Sequence, residues 1–178
     1  EEMEVFPSGR RVRVRGVQVH GKQADAAVAG QRTALNLAGA STEDLARGIM
    51  LVPPDTFAAT HRADVRLTLL ASAPRPLRSR SRVHFHSYTM ETVTELVLHN
   101  SKELAPGSEA FARVKLPAAA LLMPGDRFII RQFSPVITIG GGTVLDAAPN
   151  PRQPGLADFL QLLSAGDRAL VLERRIQR

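Results

Sequence analysis

Apolar and polar residues alternate along most of this chain with the two-residue period of β-strands. The clearest stretch is residues 11–19, RVRVRGVQV. Val12 and Val14 fall on one face, and Val17 and Val19 return to it only after Gly16 shifts the phase. A phase shift at a glycine predicts a half-buried strand carrying a bulge. Residues 3–6 predict a short strand before it, with a turn at Pro7-Ser8-Gly9. Residues 33–37 predict another strand. Ser41, with Asp44 three positions on, resembles a capping box and predicts one helical turn over 42–46, ended by Gly48. Residues 50–52 predict a strand that Pro53-Pro54 stops, and 55–63 read as a linker.

Beyond the linker, strands are predicted over 65–70, 83–86, 92–98, 110–116 and 128–132. Gly and Pro turns separate them, and residues 71–81 form a loop rich in Pro, Arg and Ser. Pro124-Gly125-Asp126 predicts a tight turn. A strand over 136–139 is expected to end in Gly140-Gly141-Gly142, with 144–145 closing. Three glycines allow positive φ and close approach of whatever packs on them, here taken to be a neighbouring barrel or domain. Many short strands at this spacing indicate antiparallel barrels. After Pro149 the pattern changes. Leu156, Phe159, Leu160 and Leu163 recur at helical spacing, Pro154 marks a start, Gly166 a break, and Asp167 a cap for a further helix.

Composition narrows the classes. The 178 residues suffice for one or two domains, and 44% hydrophobic residues are ordinary for a globular core. No apolar run has the length of a bilayer span, and the N-terminal residues lack a signal-peptide pattern. Cys is absent, which excludes disulfides and thiolate metal sites and fits a cytoplasmic setting. The net charge is +6, from 23 Lys+Arg against 17 Asp+Glu, which favours anionic partners, nucleic acid first. With one Tyr and no Trp, phosphate contact is a better expectation than base stacking.

Candidate chemistry is sparse. Residues 16–22, GVQVHGK, have the spacing of a phosphate-binding loop. Gln23 stands where a Ser or Thr would hold Mg²⁺, and no amphipathic helix follows, so a hairpin end is the better reading. His84 and His86 share one face of a strand. Alternation with Val83 and Phe85 explains them, no third ligand is evident, and no metal is expected. Ser134 precedes Pro135 outside any Gly-rich elbow, which excludes a serine-protease arrangement. Arg75, Arg78, Arg80 and Arg82 crowd one loop with no acid among them, a strong local positive field suited to phosphates. Arg127 and Arg131 read as sheet-surface charge.

Two long motifs carry a resemblance. AGQRTALNLAG at 29–39 and PGDRFIIRQFSPVITIGGGTVLD at 124–146 resemble the second and third domains of the bacterial selenocysteine-specific translation elongation factor family. The likeness extends over most of residues 5–146. It implies a mainly β chain: a partial β-barrel over 1–60 whose first strands are missing, a complete β-barrel over 61–148, and a helical stub of a C-terminal RNA-binding region over 149–178. It implies that a GTPase domain, holding GTP and Mg²⁺, precedes this segment, so that the segment itself is not catalytic. The implied partners are selenocysteinyl-tRNA, the ribosome and the selenocysteine-insertion mRNA element. The position matching Arg32 lies in that family's selenocysteinyl pocket, where a guanidinium stabilises a selenolate and gives a serine hydroxyl nothing equivalent. The third domain faces tRNA, which makes the arginines at 75, 78, 80 and 82 candidate phosphate contacts. Tyr88 departs from the pattern, because a glycine is expected there. The alternatives are barrels of a general elongation or initiation factor, or a structural protein-binding barrel module.

Overall fold

A computed structural model of the chain describes residues 1–150, 154–166 and 171. It divides into two compact units, Glu1–Ala58 and Ala59–Arg178.

The first unit is an open antiparallel sheet. β1 (Glu2–Phe6) lies between β2 (Arg10–Val19) and β5 (Met50–Val52), and β2 also pairs with β3 (Lys22–Ala24) and β4 (Thr33–Ala38). The bulge read from the valine phase is present: Val14 faces Leu37 and Gly16 faces Asn36, leaving Arg15 as the extra residue. His20 and Gly21 link β2 to β3 with φ of 51° and 78°, the two positive values that a tight two-residue hairpin needs. The helical turn is a short 3₁₀ segment, Thr42–Asp44, in which the Asp44 carboxylate accepts from the Ser41 N–H at 2.9 Å. Val5, Phe6, Val12 and Val52 are buried, Val14 and Leu37 are half-buried, and Leu35 is exposed.

The second unit is a closed barrel in the order β11-β6-β13-β12-β8-β9. The strands are β6 (Thr60–Leu69), β8 (Ser81–Ser87), β9 (Met90–Leu98), β11 (Glu109–Ala120), β12 (Arg127–Arg131) and β13 (Thr138–Asp146). A two-stranded ribbon, β7 (Leu77–Arg78) with β10 (Glu103–Leu104), is added to it. Alternation places Ala63, Val65, Leu67 and Leu69 of β6 inside with Val83 and Phe85 of β8, Leu96 and Leu98 of β9, and Phe128 and Ile130 of β12. Phe85 and Phe128 stack at 5.0 Å between ring centres. α1 (Leu156–Ala165) buries Phe159 and Leu160 and ends at Gly166, whose φ is 78°. The second helix expected from Asp167 lies outside the described residues.

Two expectations need correction. β6 begins at Thr60, inside the segment read as a linker, because Thr60 and Arg62 pair with Ala120 and Lys115 at the irregular end of β11. Pro117 sits in that register shift, where a missing N–H costs no ladder bond. The glycine triplet does not end a strand either. β13 runs through it, and none of the three glycines has a positive φ. Their requirement is space: a Cβ on Gly140 would sit 2.5 Å from the Thr68 carbonyl oxygen, and one on Gly141 2.5 Å from that of Phe128. On Gly142 it would overlap the Arg66 carbonyl oxygen. The triplet serves closure of its own barrel between β6 and β12.

Closure leaves no free edge among the six barrel strands, whereas β4 and β5 each pair on one side only. Backbone amides of β6, β8, β9 and β11–β13 should therefore exchange with solvent more slowly than those of β1–β5. Segment-resolved hydrogen exchange on the chain checks this. Equal protection in the two units would contradict it.

Candidate nucleic-acid interface

The β7–β10 ribbon folds over one end of the barrel because Leu77 and Leu104, paired in register, are both buried there. Ser79 fixes the turn that follows. Its N–H donates to the Lys102 carbonyl at 2.8 Å and its Oγ accepts from the Leu98 N–H at 3.0 Å. The guanidinium-bearing residues Arg75, Arg78 and Arg82 then line one cavity of about 640 Å³. Its other side is the start of the β12–β13 connection, at Gln132, Phe133 and Ser134. That connection is well held. The Gln132 N–H donates to the Ile137 carbonyl at 3.1 Å, its side chain to the Ser134 carbonyl at 3.3 Å, and an Arg131 guanidinium nitrogen to the Val136 carbonyl at 3.1 Å.

The four arginines do not act as one group. Arg80 occupies the turn between β7 and β8 with a φ of 67°, and it does not line the cavity. Its charge falls on Glu95, which Lys115 first, then Arg80 and Arg82, hold below the usual carboxylate range. Nor is the loop free of acid in three dimensions. Glu103 faces Arg78 across the ribbon and lines the same cavity.

Arg32 lies in the first unit, at the entrance to β4. Gly30, with φ of 89°, turns the chain, and Gln31 closes the turn by accepting from the Val28 N–H at 2.9 Å and donating to the Val28 carbonyl at 3.1 Å. The Arg32 side chain projects from this braced loop and is exposed, with no ion pair among the described residues. Gly16 to Lys22 form the end of β2 and its hairpin into β3, so no helix N-terminus faces a phosphate there. His84 and His86 share the outer face of β8 with Glu91 of β9, at 3.6 and 3.9 Å from its oxygens. Among the described residues no group of three His, Cys, Asp or Glu is arranged to hold a metal ion.

Sequence reasoning missed the main buried charge. Asp64 is fully buried on β6, and Arg113, its register partner on β11, donates Nε–H and N–H bonds to both carboxylate oxygens at 2.8 Å. His99 Nε2 lies 3.0 Å from Oδ1. Burial pushes the Asp64 carboxyl up, but the bonds from His99 and Arg113 outweigh it and hold the group below its ordinary value. Alternation gives Asp64 an outward position, which in sequence is indistinguishable from an exposed strand acid.

Fold comparison finds a likeness to a translation elongation factor. The structure aligns with translation elongation factor SelB from Methanococcus maripaludis in its apo form at a TM-score of 0.70 and 20% identity, over 84% of this chain and 36% of that one. Elongation factor Tu 2 of Streptomyces avermitilis is 26% identical over 81% of this chain and 37% of its own length. The selenocysteine-specific elongation factor of Desulfomicrobium baculatum is 42% identical over 82% of this chain, and that of Haemophilus influenzae 28% over 80%. Residues 64–151 match the family described as selenocysteine-specific elongation factor, beta-barrel domain, and the barrel belongs to that family. The chain spans 23% of the length of each of these two selenocysteine-specific relatives.

Proposed function

We propose that this chain supplies the tRNA-facing barrels of a GTP-dependent elongation factor that delivers selenocysteinyl-tRNA to the ribosome for selenocysteine incorporation. The observation that carries this is the convergence of Arg75, Arg78 and Arg82 on one cavity beside the braced Gln132–Ser134 backbone. Three guanidiniums with hydrogen-bonding groups opposite suit a run of backbone phosphates, which fixes register without reading sequence. Arg80 adds to the field from the side. Arg32 is the selenolate contact: a selenol ionises near neutral pH, so a guanidinium held by a closed turn rewards it over a seryl hydroxyl. GTP and Mg²⁺ would bind in a separate domain, and contact with the selenocysteine-insertion mRNA element would fall to the region beyond the barrel. The setting is the cytoplasm.

The test is tRNA binding by the full-length factor carrying these barrels. Replacing Arg75 and Arg78 by Ala should reduce the log–log salt dependence by about one unit per lost contact. Replacing Arg32 by Ala should weaken selenocysteinyl-tRNA more than seryl-tRNA. An unchanged slope would remove the cavity from the interface, and equal losses for both aminoacyl forms would reduce Arg32 to a general contact.

A further inference from the structure

Residues 25–32, DAAVAGQR, connect β3 to β4, and all of them are exposed. Packing therefore does not hold this loop, and Ala26, Ala27, Ala29 and Gly30 have no side-chain hydrogen-bonding groups to offer. A loop of that kind is expected to open easily. Its exit is nonetheless tied, and the ties converge on Gln31. The Gln31 N–H donates to the Val28 carbonyl at 3.1 Å, closing a β-turn with Gly30 in its third position at φ 89°. The Gln31 Oε1 accepts from the Val28 N–H at 2.9 Å, so both backbone groups of Val28 bond to this one residue. On the other side, the Gln31 carbonyl accepts from the Thr33 hydroxyl at 3.3 Å. Thr33 opens β4 and pairs in register with Val19 of β2.

Arg32 sits between these two anchors. Its backbone is fixed on both sides, while its guanidinium has no ion pair among the described residues, not even with Asp25, the acid of its own loop. A preference founded on charge needs that placement. Attraction to a selenolate falls with distance, and a guanidinium free to wander would serve any phosphate of the tRNA as well. An amide suits the brace, because it accepts a hydrogen bond without setting a negative charge beside the guanidinium.

We infer that Gln31 is a positioning residue, whose side-chain bond to Val28 holds Arg32 where it distinguishes a selenolate from a serine hydroxyl. This rests on the reading of Arg32 as the selenolate contact and adds the source of its selectivity. The role requires no contact between Gln31 and the tRNA.

The experiment measures Kd for selenocysteinyl-tRNA and seryl-tRNA with the full-length factor carrying these barrels, as parent, Gln31→Met, Arg32→Ala and the double variant. Methionine keeps the length of the side chain and removes the acceptor. Gln31→Met should lower the ratio of the two affinities about fivefold or more, through weaker selenocysteinyl-tRNA binding, and should lower it no further when Arg32 is already Ala. In this chain, the Val28 amide of Gln31→Met should exchange with solvent faster while that of Val12 keeps its protection, which separates loss of the brace from loss of the fold. If Arg32→Ala lowers the ratio but Gln31→Met leaves it unchanged, or lowers it equally without Arg32, the positioning role is wrong and the selenolate contact stands. Unaltered exchange at Val28 would also overturn the positioning role. A ratio unchanged by Arg32→Ala would overturn the selenolate reading itself, and this inference with it.

Discussion

Replacing Arg113 by Ala should destabilise the barrel by about 3–5 kcal/mol at neutral pH, a large share of the 5–15 kcal/mol typical of a domain. The change leaves the Asp64 carboxylate fully buried with His99 as its remaining hydrogen-bond partner. It removes two bonds of 2.8 Å at once. The sign of the pH dependence follows from the lowered Asp64 value. A carboxyl whose folded value lies below its unfolded value, about 3.9, contributes stability that is complete well above pH 4 and is lost as pH falls through the folded value. The gap between Arg113→Ala and the parent chain should therefore be widest near pH 7 and narrow as pH falls through the carboxylate range, closing only below the lowered folded value, where Asp64 is protonated in both. Urea denaturation across that range measures it. A gap that stays constant into acid would mean that Arg113 contributes by packing alone.

Gly142→Ala should be at least as damaging, at about 3 kcal/mol or more, and for a different reason. The added methyl would overlap the Arg66 carbonyl oxygen and lie 3.0 Å from Phe128 Cζ. Neither side can yield cheaply. Gly142 pairs with Leu67 of β6 and with Phe128 of β12, so a shift of β13 disturbs two ladders. Gly125→Ala is the control. It sits in a turn with φ of 97° and open space around the missing Cβ, so its cost is conformational and should stay near 1 kcal/mol. Thermal unfolding of the two variants compares them. Equal costs would show that the barrel can widen at β13 without penalty.

The strands were largely legible because one face of each is apolar, and the two-residue period survives in residues 11–19 even across the Arg15 bulge. The helix over 156–165 was legible for the same reason at a different period. What sequence could not supply was pairing. Asp64 looks like any outward acid until Arg113, 49 positions away, is brought opposite it. The arginine loop looks free of acid until the ribbon sets Glu103 beside Arg78. The glycine triplet is visible in the sequence but its role is not, because strand glycines that admit a neighbouring carbonyl look the same as glycines that turn. Tyr88 was legible as a departure from the family pattern, which has a glycine there, and the structure puts a left-handed backbone at that position.

The order of strands around the barrel also bears on how the chain is made. β6 is the first barrel strand to leave the ribosome, yet its two neighbours are β11 and β13. One of them is completed only at Asp146. During synthesis, β6 must therefore wait with both sides unpaired while β8 and β9 form their local hairpin, and with one side unpaired until β13 follows β11. Until the last strand arrives, the nascent barrel presents an exposed edge and an open core, the state in which β proteins associate wrongly. The glycines of β13 make that final strand narrow enough to slip between β6 and β12, and with it the unit passes from a vulnerable sheet to a sealed one.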